Sequence, residues 1–150
     1  MNNRYSTSNQ LIKNTKNFLN IKHYSFFDRI FPKKGVFYGW GRKPSGIHAM
    51  KLAKKMGTSY FLLEDGFIRS LSLGVDGSPS FSLVEDDLGI YYDATAPSRL
   101  EMILSTYDFE NNSKLMSDAS RAIELIVKHQ ISKYNNAKDT DENYFEDDSK

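Results

Sequence analysis

The sequence predicts an α/β fold with parallel strands, and three features carry that expectation. Residues 36–40, VFYGW, and 59–63, SYFLL, are β-branched and aromatic runs with the composition of buried strands. Between them lies a polar turn, Gly41-Arg42-Lys43-Pro44-Ser45, and then a helix expected to run to about Met56. Strand, loop, helix and strand within about 30 residues match one βαβ unit, whose strands run parallel.

In chain order, residues 10–22 come first. Leu11, Ile12, Thr15, Phe18, Leu19 and Lys22 recur at helical spacing and predict an amphipathic helix. Phe26, Phe27, Ile30 and Phe31 form an apolar cluster that Pro32 interrupts. Ser45 is the expected N-cap of the central helix, and Gly57 fits the C′ position at its end. Beyond SYFLL come LSLG at 71–74, a Gly-Ser-Pro turn, and short strands expected at 81–84, FSLV, and 90–93, IYYD. EDDLG at 85–89 reads as the turn between those two strands. Ser98-Arg99-Leu100-Glu101 has capping-box spacing and opens a helix into Met102, Ile103 and Leu104. Leu115, Ala119, Ala122, Ile123, Ile126 and Val127 make a second helical stripe. Three domains follow: an N-terminal helical segment at 1–34, an α/β half-domain at 35–134, and an acidic linker or disordered tail at 135–150.

Length and composition narrow the class. One hundred and fifty residues suffice for one domain with an ordinary core, and 39% apolar with 26% charged residues is globular. A net charge of +1 gives no general reason to expect nucleic acid or an anionic membrane. The chain has no cysteine, which removes disulfides and thiolate metal sites. No apolar run approaches the roughly 20 residues that span a bilayer, and the N-terminus resembles no signal peptide. A soluble, cytoplasmic protein is expected.

In a parallel α/β sheet, ligands gather at the carboxyl ends of strands. Three polar clusters fall at such predicted ends. Gly41-Arg42-Lys43 follows VFYGW, Glu64-Asp65-Gly66 follows SYFLL, and Asp93-Ala94-Thr95 follows IYY, with Arg69 and Ser70 just beyond the second. Together they offer cations for phosphate or carboxylate, and acids for sugar hydroxyls or proton transfer. Each also has a plainer reading. Asp65-Gly66 is an ordinary turn dipeptide, Arg42 and Lys43 suit a solvated loop, Tyr91 and Tyr92 suit strand packing, and Trp40 suits core or pocket wall. His23, His48 and His129 lack metal-ligand spacing, and Glu85-Asp86-Asp87 reads as a solvated turn before a cation site. Gly39-Trp40-Gly41 is no dinucleotide fingerprint, because position 44 is Pro44. The residues alone lead to an anion-handling α/β domain.

Taken together, GWGRKPSG at 39–46, EDGFIRSLSLG at 64–74 and GIYYDATAPSRLE at 89–101 resemble the capsule polysaccharide biosynthesis family. Within it the likeness is to the KpsC/LipA-type β-Kdo transferases. FSLV at 81–84 and ISKYN at 131–135 extend it, so it runs from about Gly35 to Asn135. The resemblance implies the Rossmann-like N-terminal half of a GT-B-type glycosyltransferase, truncated before its nucleotide-binding half. It further implies transfer of the acidic sugar Kdo from CMP-Kdo to a lipid-linked acceptor during capsule assembly and export. No cofactor, metal or nucleic acid is implied; capsule assembly and export proteins, and peripheral association with the inner membrane, are. Glu64, Asp65 and Asp93 become the candidates to stabilise an oxocarbenium-like centre or deprotonate an acceptor hydroxyl. Trp40, Arg42, Lys43, Ser45, Arg69, Ser70 and Tyr92 become the candidates to bind substrate. None is assigned a nucleophile's role. The alternative is a polysaccharide-binding or export accessory without catalysis, or a decayed gene product.

Overall fold

The computed structural model describes residues 3–70 and 80–133. The chain opens with strand β1 (Arg4–Ser6), helix α1 (Asn9–Thr15), the two-residue strand β2 (Lys22–His23) and the short helix α2 (Phe27–Ile30). Then come β3 (Val36–Trp40), α3 (Pro44–Met56), β4 (Tyr60–Asp65), β5 (Leu83–Asp86), α4 (Arg99–Thr106) and α5 (Ser113–Lys128). They build one five-stranded sheet in the order β2-β1-β3-β4-β5. The first four strands are mutually parallel, and β5 runs antiparallel to β4.

The βαβ unit forms as the sequence predicts, with Phe37 opposite Tyr60 and Trp40 opposite Leu63. The N-terminal segment departs from the expectation. Rather than being helical throughout, residues 1–34 contribute β1 and β2, and β1 hydrogen-bonds directly to β3. These strands are two and three residues long, too short for period-two alternation to register. The predicted helix there shrinks to seven residues, capped by Ser8, whose hydroxyl accepts from the Leu11 N–H.

Alternation of side chains divides the core between the two faces of the sheet. On one face Tyr5, Tyr24 and Phe37 pack with Ala49 and Ala53 of α3. On the other, Leu11 of α1 meets Ile21, Tyr38 and Leu63. Tyr24 stands edge-on to Phe37 at 5.1 Å between ring centres, a favourable aromatic geometry.

Three further expectations change. The N-cap of α3 is Lys43 rather than Ser45, because Pro44 lacks an N–H and sits naturally at the first helical position. Ser45 instead accepts a 3.0 Å hydrogen bond from the Trp40 N–H, tying the strand end to the helix start. The strand expected at 81–84 starts at Leu83 and takes in Glu85 and Asp86. The strand expected at 90–93 is a turn, closed by the Asp93 N–H donating to the Ile90 carbonyl at 2.9 Å. The expected LSLG and Gly-Ser-Pro segments, and the tail from 135, lie outside the described residues.

Glu85-Asp86-Asp87 is spent on structure. Asp86 is buried and accepts from the N–H groups of Leu88, Gly89 and Arg99. Asp87 holds Arg99 through two bonds of 2.8 Å, which lower its carboxyl below the usual range. The expected capping box forms at Ser98 and Glu101. Yet α4 and α5 bury no residue: Ile103, Leu104, Ile123 and Val127 stay exposed on helices whose stripes predict a packed face.

Two glycines fix how closely α3 approaches β3. A Cβ on Gly39 would lie 2.3 Å from the Gly46 Cα, and a Cβ on Gly46 would lie 1.9 Å from the Gly41 carbonyl oxygen. Gly→Ala inside a helix ordinarily gains up to about 1 kcal/mol. Gly46→Ala should instead cost about 2–3 kcal/mol by overpacking against backbone, read in urea unfolding. A gain in stability would mean that the helix stands off the strand.

Candidate functional site

The parallel order places a change of direction between β1 and β3, with α1 leaving on one side and α3 on the other. Doubly wound sheets open a crevice beyond the carboxyl ends at such a point. Arg42, Glu64, Tyr92 and Asp93 converge at the carboxyl ends of β3 and β4, next to that point.

Gly41 begins the cluster. Its φ of +37° is left-handed, and a Cβ there would meet the Tyr92 hydroxyl at 2.2 Å and Glu64 Oε1 at 2.3 Å. Only glycine leaves room for that pair. The Tyr92 hydroxyl donates to Glu64 Oε1 at 3.0 Å and accepts from the Arg42 N–H at 3.1 Å. Partial burial raises the Tyr92 phenol above its ordinary value, keeping it a donor near neutrality. Arg42 Nε pairs with Asp93 Oδ2, while Asp93 Oδ1 accepts from the Thr95 N–H at 2.9 Å and the Thr95 hydroxyl at 2.5 Å. The Thr95 bonds, and then Arg42, hold the Asp93 carboxyl below the usual carboxylate range. Lys43 lies over the Trp40 ring with Nζ 5.8 Å from its centre.

The adjacent acids Glu64 and Asp65 separate. Successive strand residues point to opposite faces, so Glu64 joins Tyr92 while Asp65 turns to Arg69. Arg69 Nε lies 2.9 Å from Asp65 Oδ1, with the two side chains 7% and 21% exposed. Arg69 Nη1 also donates to the Ser70 hydroxyl at 2.6 Å, and the Arg69 and Ser70 N–H groups bond to the Lys133 carbonyl. The geometry at Arg69 is that of a local ion pair with Asp65. Gly66, expected to allow a turn, has no left-handed φ; its requirement is space, since a Cβ would lie 2.0 Å from the Ser82 hydroxyl.

Candidates from three separate sequence clusters thus meet: Arg42, Glu64, Tyr92 and Asp93 in one network, with Trp40 and Lys43 alongside. Ser45 ties the helix start to the strand, and Asp65, Arg69 and Ser70 form a second group on the other face of β4. Sequence reasoning missed the polar loop Ser6-Thr7-Ser8 at the carboxyl end of β1, because β1 itself was not anticipated. The dense run of Ser, Thr and Asn at 6–9 was the available signal. Among the described residues no His, Asp and Glu group could hold a metal ion, and no helix is long and apolar enough to cross a membrane.

The fold and this network define a mixed α/β domain with a cluster of charged and hydroxyl-bearing side chains at the carboxyl edge of its sheet. Residues 36–147 match the model of the capsule polysaccharide biosynthesis protein family, and the chain belongs to that family. That match takes in much of the acidic segment expected to be a linker or tail.

Relatives give the same assignment. The capsule polysaccharide modification protein LipA of Neisseria meningitidis serogroup A is 46% identical over 99 residues, 66% of this chain and 14% of LipA. The lipopolysaccharide-processing protein LpsZ of Rhizobium meliloti is 35% identical over 114 residues, 75% of this chain and 25% of LpsZ. In three dimensions, the β-Kdo 2,4 transferase of Thermosulfurimonas dismutans KpsC superposes with a TM-score of 0.81 at 35% identity. The match covers 95% of this chain and 44% of that one. The β-Kdo 2,7 transferase of the same KpsC gives 0.58 at 30% identity, over 92% and 44%. The chain therefore spans about a quarter or less of the curated relatives and under half of the structural ones.

Burial sets the worth of the Arg69–Asp65 pair. An exposed ion pair contributes about 1 kcal/mol or less, whereas breaking a buried one costs about 3–5 kcal/mol. Arg69→Ala should lower the unfolding free energy by about 3 kcal/mol in a urea titration. A loss below about 1 kcal/mol would mean that the guanidinium faces solvent and is free to meet a ligand.

Proposed function

We propose that this chain forms the N-terminal, Rossmann-like half of a GT-B-type module that moves Kdo from CMP-Kdo to a lipid-linked, Kdo-bearing acceptor in capsule biosynthesis. The observation that carries this reading is the similarity to the KpsC β-Kdo 2,4 transferase, at TM-score 0.81 over 95% of the chain. The uncovered apolar faces of α4 and α5 also support it, since the rest of such a module would bury them.

The network suits an acidic sugar. Arg42 and Lys43 present cations for a carboxylate, and the flat guanidinium can donate to both of its oxygens at once. Asp93 holds Arg42 in place, giving it an aimed rather than a free side chain. Glu64 differs from Asp65 and Asp93 in having no arginine partner among the described residues; it takes the Tyr92 hydroxyl alone. We therefore assign Glu64 the role of receiving the acceptor's hydroxyl proton or stabilising positive charge at the sugar carbon. Asp93 becomes a positioning residue for Arg42, and Asp65 one for Arg69 and its loop. None of these residues is assigned the role of a covalent nucleophile.

Two measurements test this. Purified residues 1–150, given CMP-Kdo and a Kdo-terminated lipid acceptor, should show no turnover. In a complete module containing this segment, Glu64→Gln should lower transfer by a hundredfold or so while leaving the melting temperature near that of the parent. Full-rate turnover by residues 1–150 would overturn the half-module reading, and unchanged transfer in Glu64→Gln would remove Glu64 from the chemistry.

A further inference from the structure

The net charge of +1 conceals a segregation along the chain. Residues 1–63 carry twelve Lys and Arg and one acid, Asp28, whereas residues 64–150 carry eight and eighteen. Asp28 is itself engaged: Lys33 binds it at 2.6 Å and Ser25 donates to it twice, holding its carboxyl down to about 2. The first 63 residues are therefore almost uniformly basic.

Part of that charge surrounds a cavity of about 450 Å³ between the α2 segment and the second half of α3. Arg29, Lys34, His48, Lys51 and Lys55 line it, above an apolar floor that includes Tyr24, Leu52 and Met56, and no acid is among the lining residues. His48, Lys51 and Lys55 fall at i, i+3 and i+7 along α3, so they share one helical face. Directly beside them, four large apolar side chains stand in solvent within six positions. Phe26 is 69%, Phe27 72%, Ile30 55% and Phe31 74% exposed. This is no frayed end, since the Tyr24 hydroxyl donates to the Asp28 carbonyl at 2.7 Å and contacts Met56 Sδ. A buried tyrosine thus fastens the aromatic segment to the end of the basic helix.

Charge complementarity decides what fits here. A neutral apolar partner would leave the ring of cations desolvated and unpaired, and a free phosphate would leave the phenylalanines in water. An anionic bilayer satisfies both at once, with rings among the acyl chains near the headgroups and ammonium groups on lipid phosphates. We propose that the α2 segment and the adjoining face of α3 form a docking surface for an anionic phospholipid membrane. The acid–base network gathers instead around the first turn of α3, so docking leaves it uncovered. The family resemblance implies membrane association but gives it no surface; assigning this face rests on its exposed aromatic and basic side chains and not on the transferase reading.

Co-sedimentation of the full chain with vesicles tests the proposal without any enzymatic assay. Vesicles of phosphatidylcholine with about a third phosphatidylglycerol should bind the chain, and pure phosphatidylcholine should not. Raising salt from about 0.1 M to about 1 M shortens the screening length from about 10 Å to about 3 Å and should release most of it. Lys34→Gln with Lys51→Gln and Lys55→Gln should weaken partitioning by about a hundredfold, near fivefold per charge. Phe27→Ser with Phe31→Ser should weaken it about tenfold or more at constant charge. All five side chains are exposed, and circular dichroism should show an unchanged fold. Equal binding to both vesicle types would overturn the proposal, as would anionic binding that ignores both sets of substitutions. So would a stable dimer that the phenylalanine changes dissociate while vesicles fail to bind, which would assign the patch to a second copy.

Discussion

Everything at the carboxyl edge depends on the close approach of α3 to β3. Gly39 and Gly46 let helix and strand backbones touch, and no side chain could occupy the space between them. That contact fixes where α3 begins, and Pro44 and Ser45 reinforce it from the helix side. The chain must then leave β3 by a tight left-handed step at Gly41, over which Tyr92 and Glu64 close. Sequence-distant groups meet because the intervening backbone has been pared to glycine. Packing energy and site geometry are here the same constraint.

A second constraint is the pleat of β4. Two neighbouring acids look in sequence like one charged site, yet alternation sends them to opposite faces. Glu64 enters the network with Arg42, Tyr92 and Asp93, and Asp65 enters a nearly buried pair with Arg69. The separation divides labour. One acid stays in an open cluster at the carboxyl edge, and the other holds the following loop, which the Lys133 carbonyl also grips.

The central βαβ unit was legible because its strands are dense in β-branched and aromatic residues and its helix ends at a glycine. The family motifs were legible as an ordered set, but they name Asp65, Arg69 and Ser70 alongside Arg42, Glu64, Tyr92 and Asp93 and do not separate the two groups. Other parts were hidden for identifiable reasons. β1 and β2 are too short to show a period, and their pairing is decided by contact with β3 rather than by local preference. Ile90-Tyr91-Tyr92-Asp93 has strand composition, but the Asp93 N–H closes a turn on Ile90. The direction of Arg69 depends on Asp65 and on Lys133, more than sixty residues away. The stripes of α4 and α5 promised burial and found none, because amphipathicity specifies a face and not its occupant.

The central claim is that the Gly41–Arg42 step, with Glu64, Tyr92 and Asp93, receives an acidic sugar. Amide chemical shifts of the isotopically labelled chain, titrated with free Kdo, test it most directly. The account predicts saturable shifts at Gly41, Arg42, Lys43, Tyr92 and Asp93, lost in Arg42→Ala. Arg69 and Ser70, held on the other face of β4, should stay still. Shifts confined to Arg69 and Ser70, or unaffected by Arg42→Ala, would contradict it.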